Sequence, residues 1–236
     1  MTAPTLNLDT LHLDKGAHDS RETGVCIMEA VAWYAGRDHS DAPPCVSPAL
    51  RTFGTNLNDV LPDDRRQLLR PLIPVLVGTA GDGLDEARSY MALDWLIRTY
   101  TPAWLDLAGL TAEATALRDL RRIVDLVAAQ QAGPVVRQAQ TKAAAAGAAA
   151  RAAAWDAAGA AAGAAAWAAA GAAAGAAAWD AAGAAAGDAA WDAAGAAARA
   201  AAWAAARDAL QPTVDMLQLS AIGLYSAMVK PEAVMA

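Results

Sequence analysis

The chain has 236 residues, a formal net charge of −7 and two cysteines, Cys26 and Cys45. That length holds one or two domains. The acidic balance argues against a general nucleic-acid binder, which displaces counterions with clustered Lys and Arg. Two cysteines are too few for a disulfide framework.

Residues 1–20 read as an extended, polar lead-in. They show neither the basic start nor the apolar run of a secretory signal, so a cytoplasmic protein with reduced thiols is expected. Ser20 is placed to cap a helix over "RETGVCIMEAVAWYAG", in which Ile27, Val31 and Tyr34 recur at helical spacing and Gly36 ends the run. "RDHSDAPPC" is a loop, because adjacent prolines remove donors and push the preceding residues out of the α region. Ser47–Pro48 is a cap followed by proline at the first helical position, opening a helix whose apolar face is Leu50, Phe53, Leu57 and Val60. "PDDRRQLLRPLIPVLVG" predicts a helix with an acidic start, kinked or split near Pro71 and Pro74.

After the turn-rich "TAGDG", Asp85 begins an amphipathic helix that directs Met91, Trp95 and Ile97 inward. Thr101–Pro102 repeats the cap-plus-proline signature, and Thr111 opens a further helix through "AEATALRDLRRIVDLVAAQ". Gly133–Pro134 marks a boundary, and Thr213 to Val229 is a last amphipathic helix. No stretch alternates like a strand. The expected fold is all-α, with a globular domain over 1–133, a repeat helix over 134–211 and a C-terminal helix over 212–236.

Residues 143–206 hold 45 Ala, 8 Gly, 5 Trp, 4 Asp and 2 Arg, too few large apolar side chains for an ordinary core. From Gly147 to Arg207 every fourth position is Trp, Gly or Arg, and each aspartate follows such a position. Alanine favours helix over a β-solenoid, which would need β-formers and turn residues. Each glycine costs about 1 kcal/mol against alanine in a helix interior, so regular retention points to close packing. A four-residue period drifts by about 40° per repeat on a helix of 3.6 residues per turn. Either the helix underwinds, or a partner follows the drifting stripe as a right-handed wrap.

Trp155, Gly159, Gly163, Trp167, Gly171, Gly175, Trp179, Gly183, Gly187, Trp191 and Trp203 are therefore the expected packing and self-association residues. The partner expected on this pattern is a second copy of the chain, or the tract folded back on itself. Residues 157–178 carry no charge, but they lack the Leu, Ile, Val and Phe that drive membrane insertion.

The richest polar stretch, residues 18–45, holds His18, Asp19, Glu22, Cys26, Glu29, His39, Asp41 and Cys45. Glu22, Cys26 and Glu29 would share one helix face. Cys26, Glu29, His39 and Cys45 form an alternative thiol or metal site, although the paired short spacings of zinc sites are absent. The competing reading makes Cys26 a small buried hydrophobe, with His39 and Asp41 as turn and capping residues. "VLVGTAGDG" lacks the ending of a phosphate loop.

"SRETGVCIMEAVAWYAGRDHSDAPPCVSPAL", "LDWLIRTYTPAWLDLAGL", the Ala-rich tract and "LQPTVDMLQLSAIGLYSAMV" together resemble an uncharacterised family from actinobacteria and their phages. The resemblance covers most of the chain. It implies a non-secreted protein in which the tract separates a globular head from a C-terminal helix, and it carries over no catalytic residue. The leading expectation is a non-enzymatic structural protein, without cofactor, that self-associates through the repeat. The alternatives are a metal- or thiol-dependent enzyme and a membrane-active phage protein.

Overall fold

The computed structural model describes residues 6–146 and 208–231. The tetrad positions from Trp155 to Trp203 lie outside the described residues. Among the described residues all regular structure is helical, in agreement with the all-α expectation.

Helix α1 spans Ile27–Tyr34, six residues shorter at its start than the sequence signals suggest. Residues 21–23 are a turn, in which the Thr23 N–H donates to the Ser20 carbonyl at 3.2 Å. Gly24 follows at φ +146°, a conformation that side chains rarely adopt, so the helix cannot begin before it. Cys26 is the N-cap. Gly36, at φ +65°, ends the helix as expected.

Helix α2, Pro48–Val60, starts where the sequence places it, with the Ser47 hydroxyl accepting from the Leu50 N–H at 3.3 Å. Leu50 and Leu57 are buried and Phe53 stacks on Tyr225, but Val60 is 67% exposed and falls off the apolar face. The two prolines split the next run into α3 (Asp63–Arg66), a 3-10 turn (Gln67–Leu72) and α4 (Ile73–Leu76). The lead-in is not merely polar. It buries Leu11 and Leu13, and Gln67 brackets the Leu13 backbone by accepting from its N–H and donating to its carbonyl.

Helix α5, Asp85–Trp95, passes through a π-turn, Leu96–Tyr100, into α6, Thr101–Leu107, without a break. Thr101 is therefore not a cap. Its backbone is helical, and its hydroxyl and N–H both reach the Leu96 carbonyl, so the wider turn accommodates the donor that Pro102 lacks. Helix α7 spans only Thr111–Arg118. The expected continuation stops because Arg98 donates to the Arg118 carbonyl, Asp94 accepts from the Ile123 N–H, and Asp125 caps a new helix by accepting from the Ala128 N–H.

That new helix, α8, covers residues 126–146 and runs straight through Gly133–Pro134. The boundary read from that dipeptide falls inside a helix. The described C-terminal helix, α9 (residues 208–229), likewise runs through Pro212.

Two cores result. The first packs the lead-in, α1, α2, α4 and Met91 of α5 around Ala221, Tyr225, Met228 and Val229 of α9. The second, smaller core joins Leu105, Ala114, Leu117 and Ala139, with Ile97, Val135, Val136 and Ala143 packed against it. The unbroken α5–α6 segment contributes to both.

Candidate functional site

At the N-terminus of α1 the side chains of His18, Cys26, Glu29 and His39 converge. Glu29 is 1% exposed, and its carboxylate is the hub. Oε2 accepts from the Cys26 N–H at 2.7 Å and faces His18 Nδ1 at 2.9 Å. Oε1 accepts from the His18 N–H at 2.7 Å and lies 3.6 Å from His39 Nε2. His39 Nε2 donates to the His18 carbonyl at 2.8 Å, while its Nδ1 is buried without a partner.

The local sequence explains this arrangement. A helix leaves its first N–H groups unpaired, and the Glu29 side chain at the third helical position reaches back to one of them as half of a capping box. The Cys26 sulfur accepts from the Glu29 N–H as the other half. Asn58 of α2 accepts from the Ile27 N–H at 3.2 Å and donates to the Asp14 carbonyl at 2.9 Å. His18 lies where a Cβ on Gly24 would have to sit, so glycine there serves both the turn and the histidine.

Burial works against the charge on Glu29, but the hydrogen bonds from Cys26 and His18 outweigh it and hold the carboxyl below the usual carboxylate range. The same burial, together with the adjacent carboxylate, pushes the Cys26 thiol up to about 12. The thiol is protonated at neutral pH, whereas nucleophilic and metal-binding cysteines act as thiolates. Among the described residues no group of three or more His, Cys, Asp or Glu side chains is spaced to hold a metal ion.

Of the four residues proposed from sequence as an alternative site, the structure brings Cys26, Glu29 and His39 together. Cys45 belongs elsewhere: it packs on the first core, and its carbonyl accepts from the Gly78 and Ala80 N–H groups. Glu22 precedes the helix, so the face expected for Glu22, Cys26 and Glu29 does not form.

A second constellation escaped sequence reading altogether. Arg88 is fully buried. It pairs with Asp82 at 2.6 Å and donates from Nε to the Met228 carbonyl at 2.9 Å and from an Nη to the Val229 carbonyl at 3.3 Å. Arg65 pairs with Asp215 at 2.7 Å and donates to Gln218 at 2.6 Å, and Trp95 Nε1 donates to Ser220 at 2.8 Å. Each joins the head to α9 across more than a hundred residues of chain.

No protein-family model, curated protein or solved structure matches this chain. Among the described residues no helix is long and apolar enough to cross a membrane.

Proposed function

We propose that this is a structural, self-associating helical protein in which the Ala/Gly/Trp tract is the close-packing element and the two-core body is its mount. The observation that supports this reading is the anchoring of both flanks. On one side α8 is seated by Val135, Val136, Ala139 and Ala143 on the second core. On the other, α9 is inserted into the first core and fastened by Arg65, Arg88 and Trp95. A spacer without a partner needs no such mounts, whereas a packing element gains from flanks that hold it in register.

The His18–Glu29–His39 cluster fits this reading as a joint. One buried carboxylate ties the lead-in, the start of α1 and the loop after it. The protonated Cys26 thiol gives no support to thiol chemistry there.

Deleting residues 155–178 removes two twelve-residue registers and leaves the period and both flanks intact. Analytical ultracentrifugation of the full chain should show an oligomer, and the deletion should lower its stoichiometry or weaken its assembly. A monomer in both cases, or an assembly unchanged in both stoichiometry and affinity after deletion, overturns the proposal.

A further inference from the structure

A cleft of about 770 Å³ runs between α2 and α5 and is floored by α9. Phe53 and Val60 line it from α2, Ala92 and Trp95 from α5, and Ala221 and Met228 from below. Val60, exposed to water, thus forms part of an apolar rim. The two helices start side by side at one end, where the Ser47 hydroxyl donates to the Asp85 carboxylate.

The charged groups of the lining are already satisfied. Arg88 pairs with Asp82 and donates to the Met228 and Val229 carbonyls. The second carboxylate beside Arg88, that of Asp85, sits in the first turn of α5, where the helix dipole offsets its charge. An ion entering the cleft would lose hydration without meeting a free opposite charge. An uncharged acceptor does stand on the rim. The Asn56 side-chain amide donates to the Thr52 carbonyl at 2.9 Å, and its Oδ1 accepts from no group among the described residues.

We propose that this cleft binds a small, uncharged, elongated apolar molecule with a hydroxyl head, of the long-chain alcohol class. The chain lies on Phe53, Trp95 and Met228, and the hydroxyl donates to Asn56 Oδ1. The volume falls within the range of about 300–1,000 Å³ typical of small-molecule sites. A helix of about 10 Å diameter fills it in less than about two turns, too few for a docked peptide to hold its helix. Binding covers Val60 and the partly buried Phe53 and Trp95, apolar surface that otherwise meets water. Every residue of the site lies on α2, α5 or α9, so the site stands whether or not the chain self-associates.

Isothermal titration calorimetry of the full chain with 1-decanol, kept below its solubility limit, tests the site. Binding should saturate at a single ligand per chain and weaken by about fourfold for each methylene removed on going to 1-octanol. Decanoate and decylammonium share a comparable chain but carry a charge, and each should bind at least about tenfold more weakly. Absence of saturable binding overturns the proposal, and so does equal binding of either ion.

Two variants locate the ligand. Ser89→Trp sets an indole into the cleft from its exposed rim, and Val60→Asp places a carboxylate at its mouth. Each should weaken 1-decanol by about tenfold or more with the helical circular dichroism unchanged. If Ser89→Trp does not fold, Val60→Asp decides alone, because its side chain is solvent-facing. Wild-type affinity in a folded variant removes the site from this cleft.

Discussion

The first core encloses Glu29, Asn58, Arg66 and Arg88 among its aliphatic side chains, whereas the second holds no buried charged residue among those described. Arg66 alone donates to the Asn58, Leu13 and Leu61 carbonyls and pairs with Asp63. Buried polar groups of this kind demand specific partners, so they pin the lead-in, α1, α2 and α9 in one register. The second core packs small side chains, Ala114, Ala139 and Ala143, around Leu105 and Leu117. Its directional ties lie at its partly exposed edge, where Arg98 donates to the Arg118 carbonyl and Arg118 pairs with Asp106. The region that must receive a distant helix is the one built for recognition.

Removing a member of the first core's polar set should therefore cost most. Arg88→Ala strands the Met228 and Val229 carbonyls, at about 1–3 kcal/mol for each acceptor left unsatisfied, and removes the buried partner of Asp82. Chemical denaturation should show the loss, and hydrogen exchange should locate it in α9. An equal loss across both cores would break the distinction drawn between them.

Leu117→Ala attacks the second core, where truncating a buried leucine costs about 2–4 kcal/mol. The opening should be confined to α6, α7 and α8, with amide protection in α1 and α2 retained. Global unfolding would show that the two cores form one cooperative unit.

Glu29→Gln should cost about 2 kcal/mol, because a neutral amide replaces the carboxylate acceptor of several buried donors. The pH dependence follows from the same group. Its carboxyl is held below its unfolded value, so its contribution is complete above that value and is lost as pH falls through the folded one. Thermal midpoints between neutral and strongly acidic pH should fall less steeply in the variant, and parallel curves would remove Glu29 from its place as hub.

The smallest change has the opposite sign. The Tyr225 hydroxyl is buried without a partner, beside Gly54. Tyr225→Phe removes an unsatisfied polar atom and keeps the stack on Phe53, so stability should rise by about 1 kcal/mol. A loss of stability would mean that the hydroxyl is satisfied in solution.

Local signals served well where the chain's own neighbours decide the backbone. Ser47–Pro48 starts α2, Pro71 and Pro74 break the following run, and Gly36 ends α1, because caps and ring constraints act within a few residues. They misled where a distant group competes. Pro102 and Gly133–Pro134 lie inside helices, since packing on two cores and a π-turn offset one missing donor. The break after Arg118 depends on Asp94 and Arg98, which no window around Thr111 contains. Residue types suggested Cys26, Glu29 and His39 as a group, but only folding showed that a capping box and a shared carboxylate, instead of a reactive thiol, bring them together.

Sequence alone determined the helical class, the four-residue code of the tract and the starts of α2, α5 and α7, all of which follow from propensity and spacing along one stretch of chain. Tertiary structure decided that α9 belongs to the first core and that Arg65, Arg88 and Trp95 reach it. Contacts between residues more than a hundred positions apart depend on burial and geometry, and neither is written into any local pattern.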